Sequence, residues 1–215
     1  MAYRAHEGEL GMSLSISLHL LAHAPAPGQV KPRLIPALGE DGACDLQRLL
    51  VERALHLPVD GFQDRFLWLD EGPDEALGAM AEACGWAVVE QPAGDLGERM
   101  RRIATLGLCA TDAVILIGND SPALDGDYLQ AACEALRERD VVLGPAEHGD
   151  YALLGLRRLD PSLFEAIPWG CEDVLPITCE RLRRLGWKHC LLPRLWGVEG
   201  PEDLLRLSEV GIRLS

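Results

Sequence analysis

The chain has 215 residues and 48% hydrophobic content, enough to bury a full core, and nothing in it reads as a long disordered or repetitive stretch. Thirty-four acidic side chains against twenty basic ones leave a formal charge of −14. That field repels nucleic acid and anionic membrane surfaces unless a local basic patch overrides it, and so argues against a polyanionic partner. The seven cysteines are odd in number and scattered, without a C-x-x-C pair for zinc or redox chemistry. They read as reduced thiols, and so point to the cytoplasm.

Residues 1–13 read as a loose extension in which Met12 offers an alternative start, and residues 14–215 as one domain. Leu14 to Ala22 is apolar and runs into Ala22-His23-Ala24, a pattern that mimics a secretory leader with its cleavage site. Glu7 and Glu9 outweigh Arg4, and Ser15, Ser17 and His19 interrupt the run, so a first β-strand is the better reading. No stretch approaches the ~20 apolar residues that span a bilayer.

After the stiff turn Pro25-Ala26-Pro27-Gly28, Leu46, Leu49, Leu50, Ala54 and Leu55 recur at helical spacing. The alternation then repeats. Strand Phe66–Leu69 precedes helix Pro73–Cys84, strand Trp86–Val89 precedes helix Leu96–Leu106, and strand Ala113–Ile117 precedes helix Asp127–Leu136. Units of this length predict a mostly parallel sheet with helices on both faces. Strand Asp140–Leu143 is followed by Tyr151–Leu156 too soon for a helical crossover, so one antiparallel strand belongs in the sheet. Helix Glu172–Leu185, strand His189–Leu192 and a last helix from Pro201 complete the pattern.

Chemistry concentrates at two places. Gly118-Asn119-Asp120-Ser121-Pro122 sets a carboxylate where an apolar strand emerges, the edge at which parallel sheets bind ligands; the same residues also suit a helix start. The loop after the first strand carries Lys31 and Arg33, a compact charge and a bidentate fork suited to a diphosphate in an otherwise acidic chain. A dinucleotide-binding dehydrogenase is disfavoured, because the first turn lacks G-x-G-x-x-G.

The run from Ala24 to Gly39 resembles the opening of a bacterial family of uncharacterised, glycosyltransferase-like proteins of the radical-SAM/selenodomain-associated type. That family lies in the nucleotide-diphospho-sugar transferase superfamily. The resemblance continues through Gly94-Asp95-Leu96-Gly97-Glu98-Arg99-Met100, Gly118–Pro122, Leu143-Gly144-Pro145-Ala146-Glu147, Ile167-Pro168-Trp169-Gly170 and Pro201-Glu202-Asp203-Leu204. It implies the three-layer α/β/α GT-A fold and a metal-dependent glycosyl or nucleotidyl transferase taking a nucleotide or nucleotide-sugar donor and an unidentified acceptor. By the same resemblance Asp120 is catalytic, and Asp120 and Glu199 hold Mg²⁺ or Mn²⁺; His148, by its own side-chain chemistry, suits a catalytic base or a further metal ligand. Pro27, Gly28, Lys31, Arg33, Asp95, Arg99, Asn119, Ser121, Asp150, Tyr151 and Trp169 face the donor or acceptor.

The chain departs from the family pattern at two motifs. His148-Gly149-Asp150-Tyr151 stands for Asp-Gly-Gly-Tyr, and Gly197-Val198-Glu199-Gly200 for Asp-Val-Asp-Thr. The departures imply weakened or lost metal binding, and leave open a catalytically degenerate relative that acts as a ligand- or protein-binding module. Asp95 and Glu98 equally suit helix capping, His148 an exposed loop, and Trp169 either an acceptor pocket or core closure.

Overall fold

Strand β1 (Ile16–Ala22) is the axis of a seven-stranded sheet in the computed structural model, which describes residues 14–70 and 74–213. The expected loose extension over 1–13 lies outside the described residues. β2 (Asp64–Leu69) and β4 (Ala113–Gly118) flank β1 in parallel, and β3 (Ala87–Glu90) extends the β2 side. Beyond β4 come β6 (Tyr151–Leu156), β5 (Val141–Pro145) and β7 (His189–Leu191), giving the order β3-β2-β1-β4-β6-β5-β7. β6 runs antiparallel to both its neighbours, the single reversal that the short Leu143-to-Tyr151 connection dictates. Strand order changes direction between β1 and β4, which makes their carboxyl ends the crevice where open α/β sheets bind ligands.

Helices α1 (Ile35–Leu55), α2 (Glu75–Ala83) and α4 (Gly126–Leu136) cover one face of the sheet, packing on Leu18, Leu20, Ile115 and Ile117. α3 (Leu96–Ala110) and α5 (Val174–Arg184) cover the other, packing on Trp68, Val114, Leu116 and Leu154. A third apolar cluster joins Leu34, Leu46 and Leu50 of the α1 region to Trp196, Val198 and Leu207, and so fastens the chain's last loop over the β1 crossover. A 3₁₀ helix, Pro201–Val210, stands where the sequence predicts a last helix from Pro201. α1 begins earlier than its leucine spacing indicates, with Pro36 in its first turn and a break at Gly39 (φ 74°).

α3 also runs beyond Leu106, through Gly107. A Cβ there would lie 2.4 Å from Val114 Cγ1 and 2.7 Å from His19 Nε2, so only glycine lets the helix sit this close to the sheet. Alanine would improve helix propensity by about 1 kcal/mol, whereas overpacking a tight core costs about 1–3 kcal/mol. Gly107→Ala is therefore expected to destabilise the fold by roughly 1–2 kcal/mol. Urea denaturation checks the sign, and a stabilised variant would show that α3 can move off the sheet.

Candidate functional site

At the carboxyl end of β1 the chain passes His23, turns at Gly28 (φ 76°), and reaches Lys31 in a left-handed conformation (φ 49°) that residues with side chains rarely adopt. This turn aims two cations at the end of β4. Lys31 Nζ donates to Asp120 Oδ1 at 2.6 Å and to the Val198 carbonyl at 2.8 Å, while Arg33 Nη1 reaches Glu199 Oε2 at 3.5 Å. The Lys31 side chain is only 10% exposed; that of Asp120 is 57% exposed. Val198 N donates to the Asp120 carbonyl, so the two acid-bearing loops are stitched together. Asp203, buried, accepts from the backbone N–H groups of Glu199 and Gly200 and braces the second loop from the helix that follows.

Lys31, Arg33, Asp120, Val198 and Glu199 line a cavity of about 220 Å³ with His23 and Gln47. A second cavity of about 190 Å³ adjoins it and shares His23 and Asp120. Its walls combine Leu21, Leu96, Met100, Leu116 and Leu154 with the polar groups Gln91, Arg99, Asn119, Asp150 and Tyr151. Arg99 Nη1 donates to Gln91 Oε1 at 2.8 Å, and Gln91 Nε2 donates to the Ala22 and Trp68 carbonyls at 2.9 and 3.1 Å. Arg99 Nε is buried with no partner among the described residues, and Tyr151 Oη is buried beside Thr178 of α5.

The electrostatics follow from burial. Desolvation pushes the Asp150 carboxyl above its usual range, with the Asp120 charge adding to the effect. Burial also raises Glu199; the Asp150 and Asp120 charges raise it further, and His148 and Arg33 oppose them. Burial likewise pushes up the Tyr151 phenol, which stays a protonated donor.

Pro27, Gly28, Asp95, Ser121, His148 and Trp169 fall outside both cavities. Asp95 caps α3, accepting from Glu98 N at 2.9 Å. Pro27 and Gly28 lie on the exposed turn, His148 is exposed, and Ser121 is buried behind Asp120. Trp169 packs edge-on to Tyr151 at 6.2 Å and lies so near Gly97 that a Cβ there would fall 2.7 Å from its Nε1. Two separated motifs thus meet as packing partners. Glu147, at the end of the β5 motif, forms a paired contact with Arg206 at 2.7 and 3.2 Å, and Arg206 stacks on Trp196.

Three participants carry no motif. His23 borders both cavities and contacts Asp70; Gln47 donates to the His23 carbonyl at 2.9 Å and accepts from Asn119 Nδ2 at 3.2 Å; and Gln91 holds Arg99. Position at a strand's carboxyl end is the one signal that could have found His23.

Asp120 and Glu199 do not fit a divalent cation as they stand. Each is paired with a cation, and the Asp120 oxygen nearest the loop is taken by an ammonium and by Asn119 Nδ2 at 3.2 Å. Among the described residues, no three His, Cys, Asp or Glu side chains are grouped to hold a metal.

A mostly parallel sheet with one reversed strand and a cationic turn at its switch point defines the nucleotide-diphospho-sugar transferase fold. The chain belongs to the bacterial family described as "uncharacterized protein conserved in bacteria" (DUF2064), whose model matches residues 54–171. Among solved structures it is similar to a candidate nucleotide-diphospho-sugar transferase from Desulfovibrio desulfuricans G20, with 29% identity over 86% of this chain and 82% of the other and a TM-score of 0.78. It shares its fold with 4-diphosphocytidyl-2C-methyl-D-erythritol synthase from Anaerococcus prevotii (12% identity, 92% and 96% covered, TM-score 0.61). It also shares it with glucosyl-3-phosphoglycerate synthase from Mycobacterium tuberculosis, solved with Mn²⁺, UDP and phosphoglyceric acid (16% identity, 93% and 80% covered, TM-score 0.51). No curated protein matches the chain significantly. The seven cysteines are all free, and no helix among the described residues is long and apolar enough to cross a membrane.

Proposed function

We propose that the protein is a cytoplasmic transferase that takes a nucleotide-activated donor and moves either its glycosyl or its nucleotidyl group to a small acceptor. The observation that carries this reading is the pair of adjoining cavities at the β1–β4 switch point. One is lined by Lys31 and Arg33; the other sets apolar side chains beside Arg99, Asn119 and Gln91. A diphosphate in the first and a base or sugar in the second match that division of charge. Displacement at an anomeric carbon or at phosphorus builds negative charge on the departing diphosphate, and preset cations stabilise it at no reorganisation cost. Asp120 holds Lys31 in position. His148 lies outside both cavities but near enough to Glu199 and Asp150 to act on their charges, and from there it would accept the proton of an acceptor bound at the cavities' edge.

A binding module without turnover is the second reading, favoured by the pairing of Asp120 with Lys31 and the approach of Arg33 to Glu199. Thermal unfolding with nucleoside triphosphates and nucleotide sugars separates the readings from each other and from error. Ligand at ~100 Kd stabilises the native state by about 2.7 kcal/mol. One nucleotide class is expected to raise Tm, and Arg33→Ala to weaken its binding by roughly ten-fold, the worth of one charge-assisted contact. Stabilisation without any product favours the module, and no stabilisation by any nucleotide rejects both.

A further inference from the structure

We propose that Lys31 is a tethered cation standing where a divalent metal would bind Asp120, so that diphosphate binding at this site needs no metal and an added metal competes with the lysine. The inference rests on the nucleotide-donor reading and sharpens it to a metal-independent site. Lysine normally keeps its ammonium in water, yet this side chain is 10% exposed and its backbone is held at φ 49°, a conformation that persists only where surrounding contacts impose it. The ammonium itself is held by the Asp120 carboxylate at 2.6 Å and the Val198 carbonyl at 2.8 Å. A carboxylate and a main-chain carbonyl are the hard oxygen donors that Mg²⁺ or Mn²⁺ would take, and here an ammonium fills the position between them. One carboxylate oxygen cannot serve a divalent ion and an ammonium together without bringing like charges into contact.

Glu199, the other acid of the set, is likewise engaged by Arg33, two residues along the same turn. An ammonium has three protons to donate and Lys31 uses two, so one remains for a ligand in the cavity that Lys31 shares with Arg33. The charge a metal would bring to a diphosphate is thus built into the chain, at a fixed place and without a binding equilibrium of its own.

Two titrations on the full chain test this. In the first, Mn²⁺ alone is followed by electron paramagnetic resonance with the wild type, Lys31→Met and Lys31→Gly; glycine accepts the backbone conformation and guards against a folding artefact. Both variants are expected to bind Mn²⁺ at least about ten-fold more tightly than the wild type, and adding Asp120→Asn to either is expected to remove the gain. Equal Mn²⁺ affinity in the wild type and both variants overturns the inference. In the second, inorganic pyrophosphate is titrated calorimetrically in EDTA and in Mn²⁺. The wild type is expected to bind equally in both, whereas Lys31→Met loses binding in EDTA and regains it with Mn²⁺; wild-type binding that disappears in EDTA also overturns the inference. Pyrophosphate that binds under no condition overturns the nucleotide-donor reading, while the Mn²⁺ titration still decides the role of Lys31.

Discussion

Lowering the pH from 7 to 4 is expected to remove about 3 kcal/mol of folding stability through one imidazole, that of His19. His19 is 1% exposed in the middle of β1, stacked on Phe66, with Trp68 Nε1 donating to its Nδ1 at 3.0 Å. A nitrogen that accepts a hydrogen bond carries no proton, so the ring is neutral with its proton on Nε2, which donates to Ser17 Oγ at 2.9 Å. The relay continues from Ser17 to Thr111 Oγ1 at 3.0 Å and from there to the Gly107 and Ala113 carbonyls at 3.0 and 2.9 Å. Every polar atom is satisfied only in this protonation state. Burial accordingly lowers the His19 pKa from 6.5 to about 4. The unfolded chain takes up a proton below pH 6.5 and the folded chain only near pH 4, so stability is full above 6.5, falls through that window, and levels off below it. His19→Gln keeps a donor and an acceptor but does not titrate. Urea denaturation of both proteins across pH 4–7.5 should show a stability difference that shrinks by about 3 kcal/mol as pH falls. A difference independent of pH would mean that the ring is already charged, or solvated, in the native state.

His19 also shows where sequence reading stops. Strands buried on both faces are continuous apolar runs, which is why Ala113–Ile117 declares itself and why the strand–helix alternation yields the layer architecture. The reversed strand is legible because the connection from Leu143 to Tyr151 is too short for a crossover. A serine and a histidine inside β1 read as interruptions, yet they belong to a polar relay whose other members lie on β2 and at the end of α3. Gly107 resembles a terminator until its distance to Val114 is known. In the site, the cations after β1 and the acid after β4 are visible as residue types in favoured places. Their pairing is not, because Lys31 meets Asp120 across 89 positions and Arg33 meets Glu199 across 166. Gln47 and Gln91 leave no sequence trace, since a neutral amide gains its role only from the backbone carbonyls it happens to reach.

Gln91 leads to the largest effect expected on ligand binding. Arg99→Ala should weaken donor binding by on the order of 100-fold, because one guanidinium supplies more than one charge-assisted contact at about 1.5–3 kcal/mol each. The guanidinium lines the second cavity with Nη1 held by Gln91, so its other N–H groups can pair with a ligand carbonyl or ring nitrogen in a partly enclosed site where water competes less. Its direction is set by Gln91, which ties it to the ends of β1 and β2 through the Ala22 and Trp68 carbonyls. Gln91→Leu keeps the charge but frees the side chain, and roughly a ten-fold loss is expected from the lost preorganisation alone. Arg99→Lys separates charge from shape: a lysine lacks the planar fork, so recognition of a flat, acceptor-bearing edge fails with it, whereas simple charge neutralisation survives. Because Gln91 acts through Arg99, the double variant Gln91→Leu/Arg99→Ala should bind no worse than Arg99→Ala alone. Additive losses would place Gln91 in direct contact with the ligand. Unchanged affinity in Arg99→Ala would move the donor out of this cavity altogether, leaving it held by the Lys31–Arg33 turn alone.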